Sequence, residues 1–490
     1  MHILHIASEL APIAKVGGLA DVVFGLARET QKQGHTVEVL IPKYDCLNYM
    51  LIHNLKPEFR ELWSYDGPYR YHNTIWSADM QGLKILALEP HHPAYLFSRG
   101  LIYGAPDDVD RFIYFSRAAL EYLYKSGKTP DIIHVHDWPT SLIPVLYKEM
   151  YVPLGLKLKG TVLTIHNLQH QGKCSPQNVT RAGLRGEDFL TPEKMQDPFL
   201  PGHLNLLKGG IEYADFITTV SPTYEKEIQT VEGGCGLHSV LAQYNNKLKG
   251  ILNGIDYDYW NPETDPHLPL KYNITTALKG KQESKAALRK KLGLKESKGP
   301  LVCVISRLVK QKSPELIEYG LKKSLEKGGQ FVLLGIAPDP EIEKTFKTLQ
   351  KFFSKNKNAV IHLEYDDPLS HLLFAASDMI MVPSLFEPCG LTQMIALRYG
   401  SIPLVRATGG LADSVFDIDT SKKTDSERNG YVFDFPDTTG IDWVLDRAFK
   451  CYQEEPAKWK KIVEHGMQTD FSWQHSAKAY LEIYQNLCQS

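Results

Sequence analysis

Several things this sequence lacks narrow what it can be. No stretch approaches the roughly 18 uninterrupted apolar residues that a membrane-crossing helix needs, so a helical membrane span is excluded. There is no Cys-x-x-Cys pair. The seven cysteines, at 46, 174, 235, 303, 389, 451 and 488, are odd in number and dispersed, which argues against a disulfide framework and against a zinc ribbon. Neither sign of charge is in excess: 55 Lys+Arg face 57 Asp+Glu, a net charge of −2. A dedicated nucleic-acid binder would be far more basic, so no nucleic-acid partner is expected. The first residues carry no basic n-region, apolar h-region or transit signature, which predicts a cytoplasmic protein, or else a mature form. Short-period repeats and low-complexity tracts are missing too. With 43% hydrophobic residues, a disordered scaffold is excluded.

What is present is an alternation of short β-branched runs with longer helical stretches, the pattern of parallel sheets with crossover helices. The runs Ile3–Ser8, Thr36–Ile41, Leu83–Leu88, Ile132–His136, Val162–His166, Phe216–Val220 and Lys249–Leu252 read as strands. The pattern breaks near Asn253-Gly254-Ile255-Asp256 and a proline-bearing polar segment, 259–266. It restarts after a helix-forming stretch at Lys281–Leu292, with strands at Leu301–Ser306, Phe331–Leu334, Val360–Glu364, Met379–Pro383, Ile402–Val405 and Tyr431–Phe433. At about 100–200 residues per domain, 490 residues make two or three. The expected division is 1–255, 256–469 and a helical segment, 470–490, packing back on the first half. One large α/β unit with insertions is the alternative.

Chemistry is expected where strands end, since α/β folds bind ligands at the carboxyl edge of the sheet. After the first strand, Lys15-Val16-Gly17-Gly18-Leu19-Ala20-Asp21 has the layout of a phosphate cradle. The glycines let backbone approach an anion, the helix start favours negative charge, and Lys15 adds a full cation. It is neither Gly-x-Gly-x-x-Gly nor Walker A, so dinucleotide and P-loop readings fit poorly. A tight structural turn would also use these glycines. In the second half, Arg307 and Lys312 end a strand where two cations suit a diphosphate, and Ser313-Pro314 reads as N-cap and N1 of a helix. Phe386-Glu387-Pro388-Cys389-Gly390-Leu391-Thr392 follows another strand, with a helix expected from Leu391 to Gly400. The amides at Gly390, Leu391 and Thr392 would hold an anion, and Glu387 would grip sugar hydroxyls or else simply cap the helix. Thr408-Gly409-Gly410 repeats the theme.

Two histidine clusters, His134-Val135-His136-Asp137-Trp138 and His166-Asn167-Leu168-Gln169-His170-Gln171-Gly172, also end strands. His134 and His136 share a sheet face, being two apart. No third ligand has suitable spacing, so no metal site is expected. Asp108-Val109-Asp110 has an Asp-x-Asp pattern but is read as a polar stretch before a helix, away from a strand end.

Together these loops resemble one family, the bacterial glycogen synthases and plant starch synthases. The segments that carry the resemblance are Lys15–Val23, His134–Trp138, His166–Gly172, Ser221–Tyr224, Ile251–Asp256, Ser306–Lys312, Phe386–Gln393 and Thr408–Asp413, in family order over essentially the whole chain. Lys43–Cys46, Glu232–Ser239 and Gly329–Gly335 are most similar to starch synthase classes III and IV. The resemblance implies a GT-B glycosyltransferase fold, two Rossmann-like domains facing a deep cleft. It implies retaining transfer of glucose from ADP-glucose to the non-reducing end of an α-1,4-glucan such as glycogen, starch or a maltooligosaccharide, with no cofactor and no metal.

By that resemblance His166, Glu387, Lys312, Arg307 and Asp137 are catalytic. Lys15, Gly17, Gly18, Asp21, Asn253, Tyr365, Cys389, Gly390, Leu391 and Thr392 bind substrate, with Tyr365 beside the nucleobase. Two departures stand out: His170 replaces a common Tyr, and Ser313 a usual Gly. Other readings are a same-fold enzyme of sucrose or trehalose type and a catalytically silent glucan-binding protein. A phosphorylase lacks support for its pyridoxal-phosphate lysine. The sequence leaves the oligomeric state and the choice between ADP and UDP donors open.

Overall fold

Runs of Val, Ile and Leu that are apolar on both faces must be covered on both faces, and here they are. The computed structural model describes residues 1–489. In chain order the strands are β1 (His2–Ile6), β2 (Thr36–Pro42), β3 (His53–Asp66), β4 (Tyr69–Met80), β5 (Leu83–Pro90), β6 (Ile132–His136), β7 (Gly160–Ile165), β8 (Lys173–Cys174), β9 (Leu204–Asn205), β10 (Phe216–Thr219), β11 (Leu248–Gly250), β12 (Leu301–Ile305), β13 (Gln330–Leu334), β14 (Ala359–His362), β15 (Met379–Val382), β16 (Ile402–Arg406) and β17 (Tyr431–Phe433). The chain forms two units: Met1–Gly254 with the terminal helix Trp473–Gln489, and Ile255–Ser472.

The first unit holds a nine-stranded sheet ordered β11-β10-β7-β6-β1-β2-β5-β4-β3. Strand order reverses between β1 and β6, which pair in parallel with His5 opposite His134. That reversal is a topological switch point, where the loops leaving neighbouring strands diverge and open a crevice. The terminal helix Trp473–Gln489 packs into this unit's core through Trp473, Tyr480 and Tyr484, against Ile3, Val22 and Leu26. Each fully buried aliphatic side chain of this kind contributes about 1.5–3 kcal/mol.

Two strands depart from the all-parallel expectation. β3 and β4 form an antiparallel hairpin, and β4 joins β5 antiparallel. β3 is mostly exposed, with only Leu62 and Ser64 buried, and carries Pro57 and several charges. It therefore lacks the continuous apolar run that marks the buried strands. The Asp-x-Asp pair also lies differently than expected. Asp108 and Asp110 sit inside the first turn of the helix Asp108–Ser126.

The second unit is a six-stranded, wholly parallel sheet, β14-β13-β12-β15-β16-β17. Numbered within the unit this is 3-2-1-4-5-6, the doubly wound order, with its switch point between β12 and β15. The helix after β15 spans seven residues, Thr392–Arg398, about two turns, somewhat shorter than expected, with Leu391 and Tyr399 as its caps and Gly400 at φ 70° taking the left-handed position beyond it. No described helix is long and apolar enough to cross a membrane.

Candidate functional site

Most of the residues singled out by sequence follow strands at or next to the switch point of their own unit, whereas Asn253 and Tyr365 follow the edge strands β11 and β14. In the first unit, β1 runs out through Ser8 and Glu9. The Glu9 carboxylate is buried and accepts hydrogen bonds from the amides of Val16 (2.5 Å) and Gly17 (3.0 Å). This corrects the expected cradle: the Gly17 amide is turned onto a carboxylate of the same chain. Gly17 is the extended N-cap of the helix Gly18–Lys32 and has no side-chain cap of its own. Tyr103 donates to the other Glu9 oxygen at 2.8 Å and lies 2.7 Å from Ser8 Oγ. Burial raises the Glu9 carboxyl above its ordinary value, against the two amides and the tyrosine that lower it. Lys15 Nζ pairs with Asp21 at 2.8 Å on the exposed side of the loop. Sequence reasoning missed Glu9 and Tyr103. They are 94 residues apart, and neither lies in a motif.

At the end of β6, Asp137 adopts φ 55°. One of its carboxylate oxygens accepts from the His166 amide at 2.7 Å and the Asn167 amide at 3.4 Å. Asp137 therefore ties the exit of β6 to the exit of β7. Loss of solvation pushes its carboxyl up to about 7, the two amides working the other way. The His166 ring is buried and its Nε2 lies 3.1 Å from His136 Nδ1. His136 Nε2 in turn lies 3.1 Å from His5 Nδ1. His134 is engaged separately, Nδ1 with the Tyr484 hydroxyl at 2.7 Å and Nε2 with Thr164 Oγ1 at 2.6 Å.

A third histidine does therefore stand beside His134 and His136, contrary to the expectation from spacing. It is His5, brought in by strand pairing, and the three offer nitrogens within 4.8 Å of one another. Both ring nitrogens of His134 and of His136 are already spent on hydrogen bonds, so a metal would have to displace them. Asn253, after β11, is buried, with its Oδ1 lacking a partner among the described residues. His170 lies beyond these contacts, exposed on the loop after His166.

In the second unit, β12 delivers Arg307, which is exposed, and a short turn, Lys310–Lys312. Lys312 Nζ makes an ion pair with Glu387 Oε2. Glu387 is 6% exposed, and the same oxygen accepts from Ser384 Oγ at 2.9 Å. Its side chain is thus turned to the lysine and serine, and the helix Thr392–Arg398 has Leu391 as an uncapped N-cap, so the capping alternative for Glu387 falls. Gln311 fastens the same two loops, accepting from the Leu385 amide at 2.8 Å and donating to the Phe386 carbonyl at 3.0 Å.

Ser313 differs from its expected capping role. It is the N-cap of the helix Pro314–Glu326 but sits at φ 51°, ψ 68°, and its buried hydroxyl has no hydrogen-bond partner among the described residues. Gly390 has φ 72°, and the Gln393 amide donates to the carbonyls of Cys389 (3.1 Å) and Gly390 (2.8 Å). Cys389 is buried beneath this turn. At Gly409, φ is 43° and a Cβ would meet the Glu387 carbonyl at 2.0 Å, so the Thr408-Gly409-Gly410 turn can close on the Glu387 loop only without a side chain. Tyr365, after β14, is 78% exposed.

The chain is similar to known proteins along its length. The family model described as the starch synthase catalytic domain matches residues 2–243, and that of glycosyl transferases group 1 matches residues 284–465. A glycogen synthase of Protochlamydia amoebophila is 49% identical over 99% of each chain. Glycogen synthase 2 of Methylococcus capsulatus is 46% identical over 98% of this chain and 99% of its own. Among solved structures, the catalytic domain of starch synthase IV from Arabidopsis thaliana, bound to ADP and acarbose, superposes with a TM-score of 0.97 at 47% identity, covering 100% of this chain and 99% of that one. A sucrose-phosphate synthase from Thermosynechococcus elongatus, 16% identical over 99% of each chain with a TM-score of 0.60, shares the fold.

Proposed function

The chain belongs to the glycogen and starch synthase family, and from that premise we propose that it moves glucose from ADP-glucose to the non-reducing 4-hydroxyl of an α-1,4-glucan, retaining the anomeric configuration and releasing ADP. Its two doubly wound units are those of a GT-B glycosyltransferase.

Breaking the bond between sugar and diphosphate leaves negative charge on the phosphate and positive charge on the anomeric carbon. The groups that help most are fixed charges aimed where that charge develops. Arg307 and Lys312, with the amides of Gly390, Leu391 and Thr392, would hold the leaving diphosphate. Lys15, by swinging from Asp21, would offer a further cation to a phosphate. These cations would do the work a divalent ion does elsewhere, so no metal is needed. Glu387 would accept from glucose hydroxyls through its second carboxylate oxygen while Lys312 and Ser384 hold the first. His166 would lie under the sugar, and Asp137 would fix the backbone there through the His166 and Asn167 amides. Tyr365 would stack on the base. Asn253, Asp21 and Cys389 would complete the substrate shell. We place this activity in the cytoplasm, with an uncharged glucan as acceptor.

The observation that carries the reading is the Lys312–Glu387 pair at the switch point of the second sheet, its lysine on the same loop after β12 as Arg307. ADP release on glycogen, measured side by side with ADP-glucose and UDP-glucose, tests it. Turnover with ADP-glucose, undiminished by a chelator, is expected.

A further inference from the structure

The three rings of His166, His136 and His5 form one buried chain, joined by contacts of 3.1 Å and 3.1 Å. Burial lowers the pKa of His166 and of His5 to about 3 and holds His136 well below its ordinary value, so all three rings are neutral near pH 7. A neutral imidazole carries one N–H and one bare nitrogen. Each ring–ring contact therefore holds a single proton, and the chain has two possible polarities.

In one polarity, His5 Nδ1–H donates to His136 Nε2, and His136 Nδ1–H donates to His166 Nε2. His166 then carries its own proton on Nδ1. In the other polarity every bond is reversed, and His166 is protonated on Nε2. The two differ at the buried end. His5 Nε2 has no hydrogen-bond partner among the described residues and is sealed from solvent. The first polarity leaves a bare lone pair there, and the second strands an N–H. Orphaned buried N–H donors are rarer in folded proteins than acceptors short of a partner, which favours the first polarity. At the other end, His166 Nδ1 has no hydrogen-bond partner among the described residues and is not among the sealed atoms.

We propose that His136, itself oriented by His5, is a positioning residue that locks His166 in the Nδ1–H tautomer, so that the ring presents a fixed donor to a sugar hydroxyl oxygen. The titratable groups around this chain do not disturb it. His134 is saturated by Tyr484 and Thr164, and Asp137 is engaged with backbone amides. Glu9 is held by Val16, Gly17 and Tyr103.

The inference rests on the reading of His166 as the sugar-facing group, but the tautomer can be read without turnover. Long-range ¹H–¹⁵N correlation on the full-length protein labelled at histidine, with the His166 signals identified by their loss in His166→Asn, reports which nitrogen carries the proton. A protonated Nδ1 with a bare Nε2 is expected. A protonated Nε2, or nitrogen shifts of a metal-bound ring in the cluster, overturns the proposal whatever the enzyme's substrate. Kinetics supply the second arm. His136→Leu removes the donor and should lower kcat about tenfold, the size of one lost oriented hydrogen bond, with KM for glycogen little changed. His136→Asn, whose Nδ2–H can take the place of Nδ1–H, should recover most of that loss. Equal kcat in the leucine and asparagine variants contradicts a positioning role. Should the leucine variant fail to fold, the spectrum of the unsubstituted protein still decides the tautomer.

Discussion

Lys312 and Glu387 are joined as an ion pair across the switch point of the second sheet, the lysine arriving from β12 and the glutamate from β15. The glutamate is buried and its paired oxygen is shared with Ser384. Neither side chain can be removed without stranding the other, but the proposed chemistry asks more of them than stability. Glu387→Ala and Lys312→Ala should each lower kcat by about 10²–10³, the usual cost of one preorganised electrostatic stabiliser. Steady-state kinetics at saturating donor checks this. Near-normal turnover in both variants removes these residues from the reaction.

Ser313 predicts a stabilising change. A non-glycine residue at φ 51° is strained, and its buried hydroxyl has no hydrogen-bond partner among the described residues. Relief of left-handed strain is worth roughly 1–2 kcal/mol, and the extra freedom of glycine in the unfolded chain offsets about 0.5–1 kcal/mol of it. Ser313→Gly should therefore raise stability by about 1 kcal/mol, seen as a higher urea midpoint at unchanged slope. A lower midpoint would contradict the strain argument.

Asp137 predicts a pH dependence. Its carboxyl is raised in the folded state, from 3.8 to about 7, so folding favours the protonated form. The stability this group contributes is full below about pH 4 and is lost as pH rises through about 7. Asp137→Asn keeps an oxygen for the His166 and Asn167 amides but does not titrate. The difference in Tm, variant minus parent, should grow in the variant's favour from about pH 5 to about pH 8. A difference that stays flat across that range counts against a raised carboxyl.

Gly25 tests the clasp of the terminal helix. A Cβ at this position would lie 1.9 Å from Trp473 Nε1, and the indole is rigid and buried. Gly25→Ala should cost about 1–3 kcal/mol by overpacking, read as a lower Tm. An unchanged Tm would mean that the helix is free to shift.

Much of this was legible in the sequence. Strands with continuous apolar runs were placed to within two residues, and Ile132–His136 and Tyr431–Phe433 to the residue, because full burial on both faces leaves an unmistakable pattern. The hairpin β3–β4 was not legible, since a mostly exposed β3 with Pro57 and charged residues looks like loop. The loops that carry Lys15, Asp137, His166, Arg307, Lys312 and Glu387 were found because glycine, histidine and paired charges at strand ends are unusual company. What stayed hidden depends on register. His5 meets His136 only because β1 pairs with β6, and Glu9 meets the Gly17 amide only because the loop folds back. Ser313 looked like an ordinary cap, since a sequence does not display its own φ.

The proposed retaining transfer from ADP-glucose to an α-glucan can be followed in a single reaction. ADP-glucose labelled with ¹³C at the anomeric carbon is incubated with a maltooligosaccharide, and product and ADP are followed together by NMR. One ADP released for each glucose joined in an α-1,4 linkage is expected. A β-linked product, or no ADP release with any α-glucan, would contradict it.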